Sequence, residues 1–196
     1  MPRKNRVILV FGSPGAGKTT VITKSIGNNT AYRIINIGTL MKDIAIRKGY
    51  VKNRDDVRYL PIKIATGLRK AAIDHIGRMH GNIVIDTHAS VERGDRYFPG
   101  MPLEVLKGLG GLAGIIYVDA ETDDIIKRRK SDKNRKREIE SARTIDMQRL
   151  INIAMISNIS AHLNISIYII ENDGGMLQSA EKDFKAALKD IINEYK

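Results

Sequence analysis

Five short runs rich in valine and isoleucine recur along the chain. They cover residues 6–11, 33–37, 83–86, 114–118 and 166–170. Most positions in each run are apolar, so each predicted strand has both faces buried instead of one. That pattern is typical of a parallel sheet covered by helices on both sides.

Periodic apolar positions between these runs predict helices over residues 18–26, 40–48, 55–79, 103–109, 122–130, 142–162 and 177–195. Strands and helices alternate throughout, which indicates the α/β class. We expect a single domain over residues 1–196, because a chain of this length suffices for one full core but not for two typical domains.

The composition favours some cellular compartments and some types of metal site over others. The apolar stretch near the amino terminus is too short for a secretory signal, and no long apolar run predicts a membrane span. The chain contains no cysteine, which fits a reducing compartment and excludes cysteine zinc sites. We therefore expect a cytoplasmic protein without a membrane partner, in which any metal is bound through oxygen or imidazole.

The stretch FGSPGAGKTT (residues 11–20) lies between the first predicted strand and the first predicted helix. It satisfies G-x-x-x-x-G-K-[ST], in which glycines let backbone N–H groups surround phosphate oxygens at a helix N-terminus. We expect Lys18 to reach the β- and γ-phosphates of ATP and the Thr19 hydroxyl to bind Mg²⁺. The predicted ATP-binding residues are Gly12, Ser13, Pro14, Gly15, Ala16, Gly17, Lys18, Thr19 and Thr20. The chain has no N-K-x-D element, which disfavours a GTPase of the Ras type.

Positive charge is concentrated in one segment. The formal net charge is +11, and eight of the eleven residues in 127–137 are lysine or arginine. Such a cluster suits either phosphoryl transfer, which needs positive charge around the transferred group, or a nucleic-acid surface. Aromatic residues make up 5% of the chain and tryptophan is absent, so few side chains could stack on bases.

Four stretches together resemble the archaeal adenylate kinases of the nucleoside monophosphate kinase family. They are GIIYVDAETDDIIKRRKSDKNRKR (114–137), IDTHA (85–89), NRDDVR (53–58) and YFPGMP (97–102). The resemblance implies a P-loop NTPase fold with five parallel strands in the order 2-3-1-4-5, an acceptor-binding insert around residues 38–80 and a short lid around 128–140. It also implies transfer of the γ-phosphoryl group from Mg·ATP to AMP, a homotrimer and a cytoplasmic location.

The resemblance assigns roles to individual residues. Those expected in catalysis are Lys18, Arg128, Arg135 and Arg137. Those expected at the acceptor are Gly38, Thr39, Arg54, Arg58 and Asp86, and Mg²⁺ is expected on Thr19 and Asp86, partly through water. Thr39 has a second interpretation, as the cap of the following helix.

The chain also departs from the family pattern. Glu92 stands where a basic residue is common, so Arg93 or Arg96 replaces that charge in the long, irregular connection ERGDRYFPGMP (92–102). Ile153 stands where the family carries an arginine that touches the transferring phosphates, and Arg149 lies one turn earlier as its substitute. His88 is assigned no catalytic step.

Three other functions stay open from the sequence. One is a kinase with another acceptor, such as CMP, UMP or dAMP. The second is a basic ATPase that works with RNA through residues 127–137. The third is a catalytically weak nucleotide sensor, which Ile153 would allow. ENDGG (171–175) follows the fifth predicted strand, where related kinases read adenine with backbone groups; an ordinary turn is its alternative.

Overall fold

The computed structural model describes residues 5–51, 60–131 and 141–194. Its strands are β1 (Arg6–Gly12), β2 (Tyr32–Asn36), β3 (Asn82–Asp86), β4 (Ser90–Arg93), β5 (Arg96–Pro99), β6 (Leu112–Asp119) and β7 (Ile167–Glu171). Its helices are α1 (Lys18–Ile26), α2 (Ile37–Arg47), α3 (Ile62–Ile76), α4 (Leu103–Leu106), α5 (Thr122–Ser131), α6 (Ala142–Leu163) and α7 (Leu177–Glu194). The predicted α/β class is confirmed.

Five strands form one parallel sheet in the order β2-β3-β1-β6-β7. Counted among the parallel strands alone, this is the predicted order 2-3-1-4-5. The labels differ because two further strands, β4 and β5, pair antiparallel in a separate hairpin. The carboxyl ends of β1 and β3 therefore lie side by side, which brings the phosphate loop next to Asp86.

Alternate residues of β1 enter two different cores. Val7, Leu9 and Phe11 pack with α2, α3, α4 and α6 on one face of the sheet. Ile8 and Val10 pack with α1 and α7 on the other. All five side chains are fully buried, as expected for a central strand with helices on both faces.

The two edge strands of the sheet are covered less completely. Ile34 on β2 is 38% exposed and Ile169 on β7 is 60% exposed. Burial on both faces, predicted for all five runs, therefore holds for the central strands and is wrong for these edges. An edge strand has a neighbour on one side only, so its side chains gain less cover.

Two local expectations were also wrong. The connection ERGDRYFPGMP is not irregular throughout, because β4 and β5 pair across a turn in which Gly94 has φ +63°. Helix α2 begins at Ile37, earlier than predicted, with Asn36 at its N-cap. No described helix is both long and apolar enough to cross a membrane.

Candidate functional site

The phosphate loop turns sharply between β1 and α1. Gly15 has φ +96° and Gly17 has φ +85°, a region that side chains with a Cβ rarely adopt. A Cβ on Gly12 would come within 2.5 Å of the Val118 carbonyl on β6. Glycine at these positions therefore permits both the turn and the close approach of the neighbouring strand.

Side chains from outside the loop hold two of its carbonyl groups. Arg129 Nε donates to the Pro14 carbonyl at 2.7 Å. The Ala16 carbonyl accepts from Arg128 Nη1 at 3.2 Å and from Asn172 Nδ2 at 2.8 Å. In a trans peptide group, the N–H of the next residue points opposite to the carbonyl group. The N–H groups of Gly15 and Gly17 are consequently turned away from these three side chains, as an anion-binding loop requires.

Arg128 was predicted to be a lid arginine. Its guanidinium also donates to the Asn172 carbonyl at 2.6 Å through Nη2, so it joins helix α5 to the loop after β7 as well as to the phosphate loop. Arg129 is 9% exposed and donates to Gln148 Oε1 at 3.1 Å. Both arginines thus lie against the phosphate loop.

Lys18, Thr19 and Asp86 come together at the ends of β1 and β3. Lys18 Nζ forms an ion pair with Asp86 Oδ1. Thr19 Oγ1 donates to Asp86 Oδ2 at 3.0 Å, and Asn36 Nδ2 donates to the same oxygen at 2.9 Å. Asp86 is 2% exposed. A carboxylate this deeply buried is stabilised by one cation and two neutral donors.

The predicted acceptor turn, Gly38 and Thr39, lies in the first turn of α2. Thr39 is not the cap: its backbone N–H donates to Asn36 Oδ1 at 2.9 Å. Asn36 thus caps α2 with its oxygen and contacts Asp86 with its nitrogen. Sequence reasoning missed Asn36, although an asparagine at the start of a helix is a common N-cap.

The hairpin separates the two arginines proposed to replace the missing basic residue. Arg93 is partly buried, and its Nη1 donates to the Leu60 carbonyl at 3.0 Å. Arg96 is exposed and stacks over Phe98 with its guanidinium carbon 5.8 Å from the ring centroid. Arg69 on α3 has a buried Nε with no hydrogen-bond partner among the described residues. Burial lowers the pKa of Arg69, and the positive charge of Arg93 lowers it further.

Arg149 pairs with the end of strand β6. Its Nε and Nη2 donate to the two carboxylate oxygens of Asp119 at 3.0 and 2.8 Å, and its Nη1 donates to Thr122 Oγ1 at 3.1 Å. The hydrogen bonds to Asp119 raise the pKa of Arg149. Ile153 is 37% exposed on the same helix.

The loop after β7 packs on the phosphate loop and on the start of α5. Asn172 is buried beside Gly17, where a Cβ would collide with its Nδ2 atom. The Gly174 N–H donates to Asp124 Oδ2 at 2.6 Å, which lowers the pKa of that carboxyl group. ENDGG is therefore a structural support of the phosphate loop, which neither interpretation from sequence anticipated.

Four predicted residues, Arg54, Arg58, Arg135 and Arg137, lie outside the described residues. His88 is exposed at the end of β3. Within the described ranges, no group of three or more histidine, cysteine, aspartate or glutamate side chains could hold a metal ion. Near Asp86, the Thr19 hydroxyl is an oxygen atom of the kind that Mg²⁺ prefers as a ligand.

The chain is similar to known proteins in sequence. The AAA domain family matches residues 11–146. The adenylate kinase of Methanocaldococcus jannaschii is 39% identical over 136 residues, which are 66% of this chain and 70% of that protein. The adenylate kinase of Methanothermobacter thermautotrophicus is 33% identical over 186 residues, 94% of this chain and 100% of that protein.

A solved structure shares the fold. The shikimate kinase from Acinetobacter baumannii in complex with shikimate superposes with a TM-score of 0.61 at 16% identity, over 96% of this chain and 94% of that one. This likeness confirms the predicted P-loop α/β fold alone. With its phosphate loop, its Lys18–Asp86 pair and relatives that match along most of its length, the chain belongs to the archaeal adenylate kinase family.

Proposed function

We propose that this protein transfers the γ-phosphoryl group of Mg·ATP reversibly to AMP, giving two ADP. The observation that carries the proposal is the convergence of Lys18, Thr19 and Asp86 beside the phosphate loop, in a member of the adenylate kinase family. Phosphoryl transfer depends mainly on positioning and on neutralising charge. This cluster supplies a cation, a hydroxyl and a carboxylate for both tasks.

On the donor side, the residues of 12–20 bind the triphosphate. The contacts of Arg128, Arg129 and Asn172 with the loop carbonyls support this role, because they keep neighbouring N–H groups free for phosphate oxygens. Lys18 would then exchange part of its interaction with Asp86 for the β- and γ-phosphates.

The residues at Asp86 also fit Mg²⁺. Two adjacent oxygen ligands of an octahedral Mg²⁺, each at 2.0–2.1 Å, lie about 2.9 Å apart. Thr19 Oγ1 and Asp86 Oδ2 are 3.0 Å apart. When bound, Mg²⁺ would neutralise charge on the phosphates, with Thr19 as a direct ligand and Asp86 as a direct or water-linked one.

On the acceptor side, Arg93 and Arg69 are the described candidates to bind the phosphate of AMP. Two guanidinium groups held near each other repel, and a dianion bound between them would offset that repulsion. It would also accept a hydrogen bond from Arg69 Nε. We expect Arg54 and Arg58 to contribute to the same site, within an insert around residues 38–80. Arg93, not the exposed Arg96, is thus our proposed replacement for the basic residue missing at Glu92.

The lid around residues 128–140 would carry Arg128, Arg135 and Arg137 to the transferring phosphates and exclude water, which would otherwise hydrolyse ATP. Because Arg128 already contacts the phosphate loop, it is placed to join that loop to a closing lid. We further propose a cytoplasmic homotrimer. The exposed apolar side chains Ile34, Leu150 and Ile169 give it surfaces to bury, and sedimentation velocity would measure its mass.

The deciding experiment is a coupled assay of ADP formation from Mg·ATP with AMP, CMP, UMP or GMP, and without acceptor. We expect fast turnover with AMP only, and loss of turnover in EDTA. Lys18→Ala should abolish transfer while the circular dichroism spectrum is retained. ATP consumption that does not depend on any acceptor would contradict the proposal and favour the RNA-linked ATPase.

A further inference from the structure

Four buried polar side chains, one of them in the phosphate loop, form a continuous hydrogen-bonded chain. Ser90 Oγ donates to Asn152 Oδ1 at 2.6 Å, and Asn152 Nδ2 donates to Ser13 Oγ at 3.1 Å. The Ser13 hydroxyl lies 3.4 Å from the Tyr117 hydroxyl. Their exposed fractions are 8% or lower, so water does not compete strongly for these bonds.

The chain joins elements that are far apart in sequence. Ser13 lies in the phosphate loop on the donor side, and Ser90 is the first residue of β4, in the hairpin that carries Arg93. Asn152 on α6 lies between them and contacts both. A second bond, from the Gly100 N–H to the Ala89 carbonyl at 2.7 Å, closes the base of the hairpin. Through Asn152, a displacement of the phosphate loop would be transmitted to this base.

Asparagine suits position 152 for a chemical reason. Its amide presents one acceptor and two donors at the end of a short side chain, and each end meets a serine hydroxyl. Aspartate would offer acceptors alone with a buried charge, and leucine would offer neither donor nor acceptor. Buried hydrogen-bonded networks make their elements rigid and favour one arrangement.

We propose that Asn152 is a positioning residue that couples the ATP-binding loop to the acceptor-side hairpin. Occupation of either nucleotide site then strengthens binding at the other, by the same factor in both directions. This inference rests on the proposed function, since it assigns AMP to the hairpin side. It differs from that function in claiming an energetic link between the two sites.

The test is isothermal calorimetry with a non-hydrolysable ATP analogue and with AMP, each titrated alone and with the other at saturation. In the wild type we expect each ligand to tighten the other at least fivefold. In Asn152→Leu this factor should fall toward one. Ser90→Ala breaks the link to the hairpin only, so it should reduce the same factor while the affinity for the analogue alone changes less than twofold.

The matched control is Asn158→Leu, the same substitution at an exposed position of α6. It should keep the wild-type factor. A purely structural role for Asn152 would lower the thermal midpoint of Asn152→Leu and leave the factor unchanged in both variants, which would overturn the inference. If Asn152→Leu does not fold, the milder Ser90→Ala decides alone.

The two proposals fail in different ways. A wild-type protein that binds and phosphorylates AMP, but with a factor of one, would overturn the coupling and leave the function intact. A wild-type protein that binds no AMP would overturn the function and the coupling together.

Discussion

Arg149 offers the sharpest test of how this chain manages without the arginine that the family resemblance leads us to expect at position 153. Its guanidinium forms two hydrogen bonds of 3.0 and 2.8 Å with Asp119, and the two side chains are 23% and 16% exposed. Arg149→Met would leave the Asp119 carboxylate without its cation. Removing one partner of an ion pair lowers the free energy of unfolding by roughly 3–5 kcal/mol when the pair is fully buried and by about 0–1 kcal/mol when it is exposed. For this partly buried pair, we expect the substitution to lower the free energy of unfolding by about 2–3 kcal/mol.

For a chain of this size, that loss corresponds to a fall of about 4–12 °C in the midpoint of thermal unfolding. The assay is differential scanning calorimetry combined with steady-state kinetics on the same preparation. We expect kcat to change less than threefold, since Arg149 is committed to Asp119 and Thr122. Arg143→Met, at an exposed position one to two turns earlier on α6, should shift the unfolding free energy by less than about 0.5 kcal/mol.

The opposite pattern would refute this reasoning. If Arg149→Met keeps the wild-type midpoint and loses about a hundredfold in kcat, Arg149 contacts the transferring phosphates. It would then be the substitute for the family arginine that the sequence predicts, and its pair with Asp119 would be incidental to stability.

Three further predictions concern single positions. Ile153→Arg, at a half-exposed site, should change stability by less than about 0.5 kcal/mol and raise kcat severalfold; unchanged kinetics would mean that the chain does not need that arginine. Gly17→Ala should weaken binding of an ATP analogue, both because position 17 has a positive φ and because the new Cβ would collide with Asn172. Adding Asn172→Ala to this variant should relieve the collision but not the backbone strain. Strictly additive losses of binding free energy in calorimetry would therefore contradict this packing. The Gly174 N–H lowers the pKa of Asp124 in the folded state. The stabilisation from this carboxylate is therefore complete above its unfolded pKa and is lost as the pH falls through its folded pKa. Below about pH 4, the free energy of unfolding measured in urea should depend less on pH for Asp124→Asn than for the wild type.

The features that sequence alone predicted share a local cause. The phosphate loop follows from a spacing within eight residues, and each central strand follows from a short buried run. Only the order of the strands rests on the family resemblance. Helix α1 starts and ends where the apolar period and the flanking glycines place it. These signals are contained in short stretches, so no knowledge of tertiary contacts is needed to read them.

The support of the site could not be predicted because its contacts are distant in sequence. Asn172 and Ala16 are 156 residues apart, and Asn152 and Ser13 are 139 apart. Neither asparagine has a neighbouring pattern that identifies its partner. The hairpin was missed for another reason: its strands have four residues each and contain glutamate and proline, which are uncommon in sheets. Arg128 was assigned to the lid from the family resemblance, which gave no sign of its hydrogen bonds to the Ala16 and Asn172 carbonyls, because those depend on the three-dimensional position of α5.

The outward-held carbonyls of Pro14 and Ala16 also have a kinetic consequence. A loop already held in its anion-binding shape requires little rearrangement when a triphosphate arrives, so encounter with the ligand, not folding of the loop, would limit the association rate. Attraction between an anion and a positively charged protein speeds that encounter most at low ionic strength. The speed of ATP capture would thus be set by the charge of the whole surface, because three side chains behind the loop already hold it in shape.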